Sequence, residues 1–492
     1  MKNLKHYLVA ITLLIFVQGF AQKNIFLDRK FWDTKPTVET VKQKIKAGNN
    51  PSEANGNNFD GVVYATLQDA PLKSIIYLMS QKGNDVNKLT HDGRTYIFWA
   101  AYKGNVDLVT YLIKNGAKTD ITDDKGNTII NFAAGAGQQN TEVYDVLIKS
   151  NPDVLQQTNP NGANALLLAA PNDTDFKLIS YFESQGLSIK STDNEGNGIF
   201  NYVATKGQIK MLNSLLEKGL KGTDQAFIMA ANGARGTSNG IEVYEYLESV
   251  GLNPNVTDTE GVSPLHIVAA KNKDINIVKF FINKGLDVNA TDTKGNTAFM
   301  NAAANNTLEV VDFLQGFVKT KNITNKKGQS ALTLAISNNS ADVVAFLIKE
   351  GYKTTIIDQK GNNIAYYLVD SYSARNKDEF IKKLEVLEMN NVDVSQVQKN
   401  GNTWYHLAVE KNSLDVLKIA EKMNLDINAK NSEGNTALHI AALKAKDDTI
   451  LKFLLEQGAK KDLVTDFEET AYDLAAENEL LKKHNISIKF LK

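Results

Sequence analysis

Residues 263–295 read SPLHIVAAKNKDINIVKFFINKGLDVNATDTKG, and residues 436–466 read TALHIAALKAKDDTILKFLLEQGAKKDLVTD. The two stretches follow one programme: a hydroxyl residue, a short helix with paired alanines, a second and more apolar helix, a glycine stop and a polar turn. In the first helix Leu438, Ala441 and Ala442 recur at i, i+3 and i+4, a narrow face whose small residues admit a neighbouring helix closely. In the second, Ile450, Leu451, Phe453, Leu454 and Leu455 leave apolar surface on more than one side. One copy cannot bury that surface, but stacked copies can. Ser263 and Thr436 stand where a hydroxyl caps the first helix, and Gly285 and Gly458 where the second must end in a left-handed turn. Lys-Gly-Asn and Glu-Gly-Asn between copies suit tight turns that need positive φ.

Aligning the turn outward from here places blocks at 61, 93, 126, 162, 196, 223, 261, 295, 328, 361, 401 and 434, most often 33 or 34 residues apart. With SPLH, the alanine pair 269–270, GLDVNA and that step, the chain resembles the ankyrin repeat from about residue 37 to 492. Only Pro264 keeps the proline of the family's T-P-L-H; other blocks carry looser forms such as TAFM, SALT and TIIN. The resemblance implies an all-α solenoid of about twelve helix-turn-helix repeats with β-hairpin fingers. The expected segments are a signal peptide (1–21), a linker (22–36), an N-terminal half-repeat cap (37–60), two repeat stretches (61–222 and 223–467) and a C-terminal cap (468–492).

The N-terminus, MKNLKHYLVAITLLIFVQGFAQ, places Lys2 and Lys5 before an apolar run from about Tyr7 to Val17, followed by small Gly19 and Ala21. This is the plan of a secretory signal with cleavage between Ala21 and Gln22, which predicts an exported, periplasmic protein. The run is about half the ~20 residues a spanning helix needs. An uncleaved anchor, an extracellular destination or a buried helix of the fold are the alternatives. A formal net charge of −1 over 492 residues gives no global attraction to nucleic acid or an anionic bilayer. The absence of cysteine excludes disulfides, thiolate metal sites and cysteine nucleophiles.

His266, His406 and His439 each lie five residues after their block glycine, a phase held elsewhere by Phe98, Asn131, Leu167, Asn201, Met300, Thr333, Tyr366 and Asp473. Chemistry that needs an imidazole would not accept that assortment. A scaffold position bonded to nearby backbone would, so the three are read as structural. GAGQQN at 135–140 lacks the third glycine of a dinucleotide loop and joins two helices. DITDDKG at 120–126 lacks the closing glutamate of a calcium loop. No catalytic, cofactor or metal site is assigned, and no enzyme is expected.

Two blocks are irregular: those at 223 and 361 carry about five and seven extra residues in the turn between helices. After Gly219 only LKG precedes the next block at Thr223, so a finger is missing where the two stretches could bend. Finger tips carry Lys294, Lys327 and Lys360 in consecutive copies, with Lys326 and Lys399 close by, but Glu195, Glu260 and Glu433 elsewhere. The ankyrin resemblance implies binding through the fingers and the inner, concave helix face, here Arg94, Tyr102, Lys103, Lys206, Lys271 and Lys411 with the tip lysines. The expected function is an exported, monomeric scaffold for a protein partner, with no cofactor, no nucleic acid and no stable membrane insertion after cleavage. The alternative is an envelope enzyme or ligand binder with its site in the irregular blocks (223–260 or 361–400), around Arg235 or Arg375.

Overall fold

The computed structural model describes residues 24–234 and 238–492. The expected leader with its Ala21–Gln22 junction, and Arg235, lie outside the described residues.

All regular structure among the described residues is helical. In the block opened by Gly261, Ser263 caps the helix Pro264–Lys271, Asp274 caps Ile275–Asn283, and Gly285 ends it at φ 86°. The first helix is buried almost all round, Leu265, His266, Ile267, Val268 and Ala269 included, because the first helices of neighbouring repeats pack on both its flanks. The second helix buries one stripe, Ile277, Val278 and Phe281. Its other side is solvated, as an outer helix requires.

The chain divides into two compact units, Met1–Val203 with Asn213–Leu220, and Ala204–Leu212 with Lys221–Lys492. In the first, helix pairs run from Arg29–Asp33/Val38–Lys46 to Ala165–Ala169/Lys177–Ser184. In the second they run from Ala226–Asn232/Ile241–Ser249 to Ala471–Glu477/Glu479–Lys483. The division passes through the pair Ile199–Ala204/Ile209–Glu217, the one followed by the missing finger.

Three expectations need correction. Residues 24–36 are not a linker: Trp32 and Phe26 are fully buried and stacked at 5.8 Å, and Trp32 Nε1 donates to the Phe26 carbonyl at 2.8 Å. They press so closely on the first repeat that a Cβ at Gly61 would come within 2.9 Å of Phe26 Cβ. The fingers are not two-stranded ladders. Four close with an isolated bridge (Ala54–Asp60, Thr122–Thr128, Thr291–Thr297 and Val464–Thr470), because the turn amides bond instead to a side chain at the base, as Lys125 and Asn127 do to Asp123. The extra residues of block 361 lengthen the second helix, Lys377–Met389, to 13 residues rather than only the turn; in block 223 the first helix ends at Asn232 and the second begins at Ile241, and the extra residues lie partly outside the described residues.

Candidate interaction surface

The histidine phase is the third residue of the first helix. His266, His406 and His439 accept on Nδ1 the backbone N–H of their capping residues Ser263, Thr403 and Thr436, at 3.2, 3.1 and 3.0 Å. This network places the ring proton on Nε2, which donates to the carbonyls of Ala290, Asn435 and Leu463 at 3.0, 3.0 and 2.9 Å. The three residues are 1% exposed, and burial holds each imidazole below its ordinary pKa. Thr333 and Asp473 close the same capping box with Ser330 and Thr470. Phe98 has nothing to offer, and the buried Thr95 hydroxyl beside it finds no partner among the described residues.

A second recurrent device joins repeats. Asn306 donates to the carbonyls of Ala269 and Asn272, Asn339 to those of Ala303 and Asn306, and Asn478 to those of Ala442 and Ala445, all between 2.8 and 2.9 Å. These carbonyls are the orphan acceptors at the end of the preceding first helix. Block 361 has Tyr372 at that phase, and its hydroxyl goes to Asp415 at 2.5 Å. The extended second helix supplies one of the two missing bonds instead. Buried Lys383 donates to the Ile336 carbonyl at 2.8 Å, and Glu379 accepts from the Ala341 amide at 2.5 Å.

The lysines at the end of the first helices reach back one repeat. Lys103 pairs with Asp69 at 2.9 Å, Lys271 donates to the Asn232 carbonyl at 2.6 Å, and Lys411 to that of Asp370 at 2.6 Å. Lys206 is exposed. Tyr102, 39% exposed, stacks on Phe132 at 5.7 Å. Arg94 does not belong to a free surface: it is 6% exposed, bonds Asp123 through Nε and Nη2 at 3.0 and 2.7 Å, and lies 4.1 Å over the Phe132 ring. A guanidinium this far from water is held by its carboxylate and ring, and a partner could reach it only by breaking them.

The finger tips of the second unit are stitched by backbone. Thr293 N–H donates to Glu260 O, Lys326 to Lys294, Gln359 to Lys327, Lys399 to Gly361 and Ser432 to Asn400, at 2.8–3.0 Å. In the first unit the rungs are Asp124 to Asp92 and Asn194 to Asn161, both 2.9 Å. Pro160 occupies the donor phase without an N–H, and its ring lies against Gly126 instead. The tip lysines are not equivalent. Lys294 is tied to Glu260 at 2.7 Å, while Lys327 and Lys360 are exposed and make no ion pair among the described residues.

A family model described as "Ankyrin repeats (3 copies)" matches residues 63–158, 227–319, 299–373 and 370–466, well over half of the chain. The chain belongs to the ankyrin repeat family. Its ankyrin repeats are similar to part of the phosphocholine transferase AnkX of Legionella pneumophila, at 26% identity over 147 residues, which is 30% of this chain and 15% of that protein. They are also similar to part of the palmitoyltransferase AKR1 of Lachancea kluyveri, at 28% over 161 residues, 32% and 21% of the two chains. The chain thus spans about a fifth or less of these relatives. The human ASB11 ankyrin repeat domain aligns with 45% of this chain and 96% of its own, at 22% identity and a TM-score of 0.38.

Proposed function

We propose that this protein is an exported scaffold that holds a partner protein on the face made by first helices and finger tips, and that it does so without chemistry of its own. The observation that carries the reading is the rung-by-rung backbone stitching of the tips. It fixes exposed side chains of successive repeats in one register, so a partner meets a preorganised surface with little ordering cost. The buried ionisable groups closest to a chemical role, the three histidines and Lys383, are spent on backbone bonds inside the stack. Two relatives are named as transferases, but the likeness is confined to a minor part of each. Export rests on Lys2, Lys5, the short apolar run and Ala21, and places the mature N-terminus at Gln22 in a periplasmic, monomeric protein.

The test is affinity capture with the full chain from an envelope extract of its own cells, with N-terminal sequencing of the recovered protein. A saturable protein partner and a terminus at Gln22 support the reading. An intact Met1 in the membrane fraction removes export, and the absence of any saturable partner removes the scaffold.

A further inference from the structure

The fingers carry one phase, four residues before the tip glycine, that is exposed and threonine in six blocks: Thr122, Thr158, Thr192, Thr257, Thr291 and Thr324. On the next two fingers the same phase is Ile357 and Val397, which stay 57% and 55% exposed. Branched apolar side chains at a solvated position gain nothing for the fold, since threonine serves there six times. They stand among lysines. Lys326 and Lys327 share a finger whose base residue is the neutral Asn325, where other fingers use an aspartate such as Asp292 or Asp358. Lys399 follows the neutral Gln398, and its stem lies over the preceding tip, so that a Cβ on Gly361 would come within 2.5 Å of Lys399 Cβ. Lys360 sits between them on a finger whose base is Asp358, which accepts the Lys360 backbone N–H.

Charge therefore accumulates one finger later than the bare lysine spacing implies. Lys294 is neutralised by Glu260, whereas the tips at 326–327 and 399 carry positive charge with no ion pair among the described residues. Because Gln359 bonds Lys327 and Lys399 bonds Gly361 through backbone, these side chains advance by one fixed step per repeat. Stacked helices lie ~8–10 Å apart, and three residues of an extended polyproline-type chain advance ~9 Å. An acidic residue at every third position can then meet one finger after another, with apolar residues between.

We propose that the fingers bearing Lys326, Lys327, Ile357, Lys360, Val397 and Lys399 form a docking strip for an extended acidic segment of a partner protein that carries interspersed aliphatic side chains. The proposal rests on the scaffold reading and names the chemistry of its partner.

The probe is a fluorescein-labelled twelve-residue peptide with glutamate at every third position and leucines between, measured by anisotropy against the full chain at low and high salt. Controls are the same peptide with lysine for glutamate, one with serine for leucine, a heparin oligosaccharide and a twelve-nucleotide single strand. The expected result is saturable binding of the acidic-leucine peptide, weakened about tenfold by Lys326→Glu/Lys327→Glu/Lys399→Glu and several-fold by Ile357→Thr/Val397→Thr, and fading with salt. Leu89→Thr, the same phase on a finger of the first unit, should leave it unchanged. Binding insensitive to both sets of substitutions overturns the strip. So does equal affinity for the polyanions with no loss on Ile357→Thr/Val397→Thr, which would mark a general anion surface. A natural partner that is captured equally well by the lysine variant leaves the scaffold reading standing and removes this one.

Discussion

The ammonium of Lys383 lies 2.8 Å from the backbone carbonyl oxygen of Ile336, 47 residues earlier and in the preceding repeat. In other repeats an asparagine amide makes the equivalent bond, as Asn339 does to Ala303 and Asn478 to Ala442. The longer second helix of block 361 thus replaces a lost asparagine with a longer reach. Lys383→Ala should leave a buried acceptor unpaired and a void beside it, destabilising by ~2–4 kcal/mol. Lys383→Met keeps the volume and should cost ~1–2 kcal/mol. Native-state hydrogen exchange checks this: amides of Ala331–Asn338 should open more readily in the alanine variant than in the methionine one. Equal protection in both variants and the parent would mean that the bond contributes nothing.

The asparagine bridges give the next expectation. Asn306 satisfies two carbonyls of the preceding repeat, those of Ala269 and Asn272, at 2.9 Å each, and is buried. Asn306→Leu removes both donors and should cost ~2–3 kcal/mol, more than substituting the exposed Asn305, whose amide reaches only the Asn301 carbonyl of its own helix, at 3.5 Å. Urea denaturation followed by circular dichroism, with the Asn305 substitution as the reference, separates the two.

Arg94 shows where a sequence reading of the surface goes astray. A lone arginine in a turn reads as exposed, and its partners are invisible locally: Asp123 belongs to the next finger, 29 residues on, and Phe132 to the next first helix. Arg94→Lys should destabilise the first unit by ~1–3 kcal/mol, since an ammonium cannot hold Asp123 through two nitrogens or stack flat on Phe132. Near-ultraviolet circular dichroism of the aromatic cluster during thermal unfolding is the readout. An unchanged melting profile would return Arg94 to the solvent.

The period carried most of the fold, because in a stack each contact recurs at one fixed offset and the sequence repeats with it. The same logic would have paired Lys294 with Glu260, 34 residues apart at equal phase, had the offset been applied to charges as well as to apolar residues. What the period could not convey lies where the pattern breaks. Phe26 and Trp32 precede the first block and read as a linker, because no preceding copy defines their phase. Lys383 sits in inserted residues that have no counterpart elsewhere, so its burial depends on how the longer helix is placed.

The three histidines make stability depend on pH in a definite direction. Burial lowers the pKa of His266, His406 and His439 in the folded chain, so the unfolded chain, titrating near 6.5, binds protons more readily below that value. Their contribution is complete above pH 6.5 and is lost as pH falls from 6.5 through the folded pKa. The structural reason is that a proton on Nδ1 would face the backbone N–H of Ser263, Thr403 or Thr436, the donor it now accepts. Asp292 and Asp258 soften the shift at His266, whereas Lys430 adds to it at His439. All three rings belong to the second unit. Between pH 7.5 and 5.5 its denaturation midpoint should therefore drop, while the triple variant His266→Asn, His406→Asn, His439→Asn, which keeps a short acceptor at each cap, should be less stable at pH 7.5 but show a shallower drop. Binding of the natural partner at pH 7.5 should survive in that variant. Lost binding with the fold retained would assign the imidazoles to function, and an unaltered slope would show that other groups set the acid sensitivity.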